Sequence, residues 1–224
     1  PYGTMEEKIE KFVAVHKLYR RFEDVAIPIV QTIVEEHHLL EFARTIKPLS
    51  DAKGIAGGVK YIHKGIFFKF AIDSGLYGGT EFSSKASSQE LLGYQGLYRF
   101  INEESILALN IPLVSVVDYR GFRVTAAASL PIGGNSLMYG SDDGAVTVHN
   151  DDKFLESLMK RCGKFLNLAE HFVGKEEQSK NIICADVEGH LGKDNSYYVI
   201  DTARLCCPEA PCSTFLSILI KQEL

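Results

Sequence analysis

A hairpin-like stretch between residues 184 and 205 constrains the fold of this chain more than any other segment. An apolar run at 181–185 leads into polar residues that a strand can carry, and the cluster 192–196 (GKDNS) is typical of a turn. Residues 197–200 (YYVI) are aromatic and β-branched, which favours a second short strand. The sequence therefore predicts an antiparallel β-hairpin here.

Charged side chains are concentrated at the ends of this hairpin. Asp186, Glu188 and His190 alternate along the first strand, so they are predicted to share one of its faces. Asp201 follows the second strand, and Arg204 comes shortly after it. Because an unpaired buried charge is costly, three interpretations stay open. The acids lie on a wet face, they pair with basic side chains such as Arg204, or they converge on a ligand or a cation.

Composition and charge exclude several classes of protein. The 224 residues are 46% hydrophobic and 24% charged, which is ordinary for a globular protein with a sizeable core. The net charge of −5 argues against broad electrostatic binding of nucleic acid. The apolar runs are too short for a spanning helix and no signal-peptide pattern is present, so no membrane insertion is expected. Five cysteines without a framework spacing indicate a reducing compartment.

The first 48 residues are predicted to form a helical extension. Apolar residues recur at helical spacing from residue 5 to 24, with Thr4 as N-cap and Glu7 three positions later. Pro28 stands where a second helix could begin, and Pro48 would follow its end.

Residues 49–132 are predicted to form a sheet lobe with one long helix. Strand patterns are found at 59–63, 66–72, 113–117 and 122–130, with turns at 64–65 and 118–121. Between them, residues 85–100 have helical spacing, and 102–108 predict one more helical stretch. A glycine cluster, Gly54, Gly57 and Gly58, precedes the first strand and is either a plain loop or a phosphate-wrapping loop.

Residues 133–224 are predicted to form a lobe of helices and a β-hairpin. The order is a turn at 137–144, a strand at 145–149, a helix at 152–166, the hairpin and a last helix at 215–224. The chain is thus predicted to be an α+β protein, with an antiparallel sheet lobe and a helix-and-hairpin lobe. Residues 49–224 are expected to form one domain.

Five segments occur in a consistent order between residues 85 and 210. They are 89–97 (QELLGYQGL), 117–126 (VDYRGFRVTA), 139–148 (YGSDDGAVTV), 166–173 (LNLAEHFV) and 184–205. Together they resemble the central domain of the clustered mitochondria (CLU) family. The resemblance implies a non-catalytic interaction or scaffold domain in the cytoplasm, linked to mitochondrial distribution or to mRNA binding. The implied partners are other proteins, other domains of a longer chain, or RNA bound weakly.

The order of elements is also similar to that of kinase-like phosphotransferases. Lys69 lies in an apolar strand, Glu90 lies in the helix that follows, and Asp201 follows the hairpin. In that architecture a strand lysine meets phosphates, a helix glutamate holds it and a late aspartate binds Mg²⁺. The hairpin also resembles the metal-binding hairpin of SAICAR synthetase. These resemblances imply ATP and Mg²⁺ as cofactors, Lys69, Glu90, Asp186 and Asp201 as binding residues, and Asp186 and Asp201 as the metal ligands.

Departures from the kinase-like pattern argue against catalysis. The sequence contains neither a His-Arg-Asp triplet nor Asp-Phe-Gly, in whose place Asp201-Thr-Ala stands. His190 occupies a position where SAICAR synthetase would supply a carboxylate, and imidazole is a poor ligand for Mg²⁺. The leading hypothesis is therefore a non-catalytic CLU-like module. The alternative is a nucleotide-binding pseudokinase or an ATP-dependent phosphotransferase.

Overall fold

The computed structural model describes residues 3–50, 58–73, 78–174 and 179–206. The helices are α1 (Met5–Glu36), α2 (Thr80–Glu103) and α3 (Lys153–Phe165), with a short 3-10 helix at Glu41–Ala43. The strands are β1 (Val59–His63), β2 (Ile66–Phe70), β3 (Leu109–Asn110), β4 (Val114–Tyr119), β5 (Phe122–Ala128), β6 (Leu137–Gly140), β7 (His149–Asn150), β8 (His171–Val173), β9 (Ser179–Asn181), β10 (Glu188–Leu191) and β11 (Tyr197–Ile200). The predicted α+β class is confirmed.

Helix α1 begins at a capping box. The Thr4 hydroxyl accepts a hydrogen bond from the Glu7 amide, and the Glu7 carboxylate accepts one from the Thr4 amide, as the sequence predicts. The prediction of a second helix beginning at Pro28 is wrong, because α1 continues through that proline. The proline removes one backbone hydrogen bond. Ala26 and Val30 on either side of it are fully buried, so packing of this face outweighs the loss.

Strands β1, β2, β5 and β4 form an antiparallel sheet in that order. A two-residue turn connects β1 to β2, and another connects β4 to β5. All four turn residues have positive φ, which is typical of a tight hairpin turn of this length: Lys64, Gly65, Arg120 and Gly121. One face of the sheet packs against the second half of α1. This first core contains the buried aromatic and branched side chains Phe22, Val30, Ile33, Tyr61, Phe68, Phe70 and Val124.

A second sheet has the order β3-β11-β10-β6-β7. It packs with α2 and α3 around a second core that includes Leu97, Phe100, Leu155, Met159, Ile183 and Val199. Strands β8 and β9 form a separate pair. Helix α2 contacts both sheets, because it lies on β4 and β5 and supplies Leu97 and Phe100 to the second core. Residues on α2 therefore lie between the two sheets.

Three local predictions are wrong. Residues 102–108 do not continue as a helix: α2 ends at Glu103 and a turn leads into β3. Residues 137–140 form β6 rather than a turn, and 145–148 bend instead of forming a strand. The Ser141 hydroxyl accepts a hydrogen bond from the Ala145 amide, and the Asp143 carboxylate accepts one from the Thr147 amide. Side-chain hydrogen bonds therefore replace strand pairing in this segment.

The structure tests the predicted strand segment at 181–185 but not the predicted helix at the end of the sequence. Only residues up to Asn181 belong to a strand, and Asp186 lies in a turn before β10 begins at Glu188. The predicted helix at 215–224 lies outside the described residues. Within the part of the chain that is described, no helix combines the length and the apolar character needed to cross a bilayer.

Candidate functional site around Lys69

Lys69 lies in the middle of the first sheet but points away from its apolar core. Phe68 and Phe70 on either side of it in β2 are fully buried against α1, so period-two alternation turns Lys69 toward α2. Its side chain is 16% exposed. The surrounding apolar strand therefore fixes the direction of a nearly buried ammonium group.

Glu90 supplies one partner for this ammonium from α2. The Lys69 Nζ atom lies 2.9 Å from Glu90 Oε1, and the Glu90 side chain is 8% exposed. Ser83, Ser87, Glu90, Tyr94 and Leu97 recur at helical spacing and are all buried, so they form the face of α2 that looks into the protein. The sequence hypothesis placed Lys69 and Glu90 in one site, and the structure brings them into contact.

Asp201 supplies the second partner from the end of β11. Its carboxylate is paired with the Lys69 ammonium, and its backbone has φ 52°, a left-handed conformation that is uncommon for residues other than glycine. The next residue anchors the segment, since the Thr202 hydroxyl donates a 2.7 Å hydrogen bond to the Glu90 carbonyl. A Cβ on Gly93 would overlap the Thr202 carbonyl oxygen. Glycine at this position thus lets the segment approach α2 closely.

Burial and charge set the protonation of the three groups. Burial alone would lower the pKa of Lys69, but the carboxylates of Asp201 and Glu90 outweigh it and raise that pKa well above its ordinary value. Burial raises the pKa of Glu90, which Lys69 only partly offsets. Burial tends to raise the pKa of Asp201, but the positive charge of Lys69 outweighs burial, so this pKa is lowered. The lysine and the aspartate are therefore held in their charged forms at neutral pH.

The structure adds groups that the sequence hypothesis missed. Lys60 on β1 is paired in register with Lys69, and burial, followed by the charge of Lys69, lowers its pKa. Thr125 is paired with Lys69 on the other side, and its hydroxyl is buried without a hydrogen-bond partner among the described residues. The signal for Lys60 was present, because a two-residue turn at 64–65 fixes the pairing of 60 with 69.

Glu188 and His190 continue the polar region from β10. As predicted, they share a face: His190 Nε2 lies 3.0 Å from Glu188 Oε2. The other ring nitrogen, Nδ1, lies 3.0 Å from the Ser136 hydroxyl. Burial raises the pKa of Glu188, and the nearby charge of Asp201 adds to this rise. The carboxylates of Glu188 and Asp201 are thus close enough to interact electrostatically.

Asp186 does not join this cluster by contact. Arg204 Nε donates to Asp186 Oδ2 at 2.6 Å, which agrees with the interpretation that the hairpin acids pair with a basic neighbour. The other oxygen, Asp186 Oδ1, is buried without a hydrogen-bond partner in the part of the chain that the structure describes. Asp186 and Asp201, the predicted Mg²⁺ ligands, are each paired with a different cation. No group of three or more His, Cys, Asp or Glu residues in the described ranges could hold a metal ion.

Binding of Mg²⁺ by Asp186 and Asp201, which stays a prediction, would require each aspartate to leave the cation with which it is paired. A Mg²⁺ ion needs oxygen ligands with uncompensated negative charge, and Lys69 and Arg204 already compensate the two aspartates. Of the glycine cluster, Gly54 and Gly57 lie outside the described residues. Gly58 has φ 72°, and a Cβ there would overlap the Phe70 carbonyl oxygen, so glycine lets the chain before β1 pass close to the end of β2.

Comparison with known proteins decides the family. The family model described as "Clustered mitochondria" (CLU) matches residues 1–211. The chain belongs to the CLU family. The match also includes the residues before position 85, which precede the five segments that carry the resemblance.

Curated relatives have the same family name or a related one. The chain is 28% identical over 235 residues to "Protein clueless" of Drosophila virilis, with 100% of the chain and 15% of that protein covered. It is 28% identical over 220 residues to the "Clustered mitochondria protein homolog" of Aedes aegypti, with 93% of the chain and 14% of that protein covered. The chain thus corresponds to about one seventh of these relatives' length. No solved structure matches it.

Proposed function

We propose that this CLU chain is a non-catalytic interaction module that serves the distribution of mitochondria. The observation that carries the proposal is the family match over residues 1–211, together with relatives named for clustered mitochondria. Because those relatives are much longer, the partners proposed are other proteins or other domains of a longer chain. The cytoplasm is the proposed compartment.

The arrangement around Lys69 supports a role without catalysis. The ammonium group contacts both Glu90 and Asp201, and Asp186 is held by Arg204. Each of these interactions satisfies a charge inside the fold, as in a structural ion cluster. A working phosphotransferase would instead need carboxylates available to a metal ion.

Replacement of the gene in its own cells tests this proposal. The wild-type gene is exchanged for one carrying Lys69→Met and Glu90→Met together, after the purified variant has been shown to fold by circular dichroism. We expect normal mitochondrial distribution, since both charges are removed without exposing the core. A gene lacking the segment should give clustered mitochondria. Normal distribution without the segment would overturn the proposal, and so would clustering with the folded double variant.

RNA binding by this segment is proposed to be weak. With 24 Lys and Arg against 29 Asp and Glu, the chain has no excess of positive charge to contact phosphates. A gel shift with single-stranded RNA at increasing salt is the test. Tight binding that persists at physiological salt would contradict the expectation.

Nucleotide binding is the second candidate, and one observation favours it. A strand lysine meets a glutamate from the following helix and an aspartate after a late hairpin, which is the kinase-like order of parts. Lys60 adds a second ammonium, and the Thr125 hydroxyl adds a buried donor without a partner among the described residues. An anionic phosphate group could use these donors if it displaced Asp201 from Lys69.

Thermal shift with ATP separates the two candidates. If nucleotide binds, millimolar ATP with Mg²⁺ should raise the melting temperature of the wild type, and the rise should vanish in Lys69→Ala. Asp201→Asn should keep or increase the rise, because it removes the carboxylate that competes with phosphate for Lys69. If ATP left the melting temperature of the wild type unchanged, nucleotide binding would be excluded and the interaction module would be the remaining candidate.

A further inference from the structure

The first half of α1 carries an apolar surface that nothing in the described residues covers. Every residue from 5 to 14 is exposed, whereas the second half of the helix packs on the first sheet. Ile9, Phe12 and Val13 are 55%, 73% and 42% exposed. They lie three and four positions apart, so they share one side of the helix. Exposed apolar surfaces of this kind commonly mark interaction sites.

Four charged residues on one line of the helix beside this surface are arranged by sign, whereas Lys8 and Lys11 lie off that line. Glu6 and Glu10 lie before its midpoint, and Lys17 and Arg21 lie after it, all on one line of the helix at spacings of four, seven and four. None of the four side chains forms an ion pair within the ranges that the structure describes. The two acidic and two basic residues are symmetric about the point between Val13 and Ala14.

This symmetry identifies the kind of partner. When two copies of one helix meet antiparallel, residues at equal distances from the two-fold axis face one another. With the axis between Val13 and Ala14, Glu10 of one copy faces Lys17 of the other, and Glu6 faces Arg21. Ile9, Phe12 and Val13 then lie along the contact. A parallel arrangement would place like charges together, which is unfavourable.

We infer that the first half of α1 is a self-association surface, on which a second copy of this chain binds as an antiparallel two-fold dimer. The contact involves about four helical turns per copy, so its area is at the low end for specific complexes. The dimer is therefore reversible, and its population depends on protein concentration. The surface includes neither Lys69 nor the two carboxylates that contact it, and the inference goes beyond the proposed function.

Sedimentation velocity on the 224-residue chain over a range of concentrations tests this inference. The wild type should pass from monomer to dimer. Ile9→Asp should raise the dimer dissociation constant at least about tenfold, because it places a charge in the apolar contact. Ile27→Asp is the matched control: Ile27 lies on the same helix and is 38% exposed, but it is far from the axis, so the wild-type behaviour should persist.

Charge reversal tests the antiparallel register. Glu10→Lys and Lys17→Glu should each weaken the dimer about three- to tenfold. The double variant should recover most of the loss, because the exchanged charges again face opposite ones. A wild type that stays monomeric at all concentrations would overturn the inference. The inference would also be overturned if Ile9→Asp left the dimer dissociation constant unchanged, or if the double reversal did not restore it.

Discussion

The Nζ atom of Lys69 lies 2.9 Å from Oε1 of Glu90 and thereby connects strand β2 to helix α2 inside the protein. The two residues are 21 positions apart, and their side chains are 16% and 8% exposed. Since both charges have lost most of their hydration, each depends on the other for compensation. The pair is therefore sensitive to the loss of either charge.

Substitution of Lys69 alone should therefore destabilise the protein strongly. Lys69→Met keeps the length of the side chain but leaves Glu90 buried without its cation. We expect the free energy of unfolding to fall by about 3–5 kcal/mol, as for other broken buried pairs. Urea denaturation at pH 7 measures this change.

Two control variants separate lost charge from lost packing. The double variant Lys69→Met with Glu90→Met should recover part of the loss, because no unpaired Glu90 carboxylate stays buried. Asp201 still loses its cation, but its side chain is 39% exposed and can be hydrated. Arg99→Ala removes an exposed pair with Glu103 on the same helix and should change stability by less than about 0.5 kcal/mol. Similar effects of all three variants would contradict the assignment of a buried pair.

Gly93 and Gly96 on α2 form a matched pair for a second prediction. A Cβ on Gly93 would overlap the backbone of Thr202, which cannot move without shifting Asp201. Gly93→Ala should cost about 1–3 kcal/mol through overpacking, even though alanine favours the helix. Chemical denaturation gives the size of the effect.

A Cβ on Gly96 would meet only the tip of the Leu166 side chain, at 3.3 Å, and that tip can rotate. Gly96→Ala should therefore be neutral, or stabilise by up to about 1 kcal/mol through helix propensity. Equal destabilisation by the two alanines would show that the close approach of residues 201–202 to α2 is not what requires glycine at position 93.

Local chemistry explains which elements could be predicted from the sequence. The turns at 64–65 and 120–121 supply positive φ between alternating apolar runs, so both hairpins of the first sheet are evident. Continuation of α1 through Pro28 could not be predicted, because it depends on the burial of Ala26 and Val30 against a sheet formed later in the chain. Propensity is local, and this packing is not.

The same distinction applies to the candidate site. The order of elements suggested Lys69, Glu90 and Asp201, and the structure brings these three together. Asp186 was expected on the same strand face as Glu188, but the chain turns at Asp186 before β10 begins. Its carboxylate instead accepts a hydrogen bond from Arg204. The binding roles assigned to the four residues stay predictions.

Cys162 on α3 should react slowly in the folded protein. It is fully buried, and burial raises the pKa of its thiol to about 12. At pH 8 the thiolate fraction is then about a thousandfold lower than in the unfolded chain, before limited access is considered. Alkylation by iodoacetamide, followed by peptide mass spectrometry in buffer and in urea, gives the ratio of rates. Alkylation of Cys162 at equal rates in both solvents would show that α3 opens readily.

Glu156 on α3 should make stability depend on acid pH. Hydrogen bonds from Lys160 and Lys153 lower the pKa of this carboxyl to about 2. Because the folded pKa lies below the unfolded value, the contribution is fully present above about pH 4.5 and is lost as the pH falls toward 2. The lysines are 44% and 82% exposed, so solvent screening limits the contribution to about 1 kcal/mol. Urea denaturation of wild type and Glu156→Gln at pH 6, 4 and 3 should give a stability difference that shrinks with falling pH. Lys160→Met should remove most of this pH dependence, and a difference that stayed constant from pH 6 to pH 3 would show that Glu156 gains nothing from its lysines.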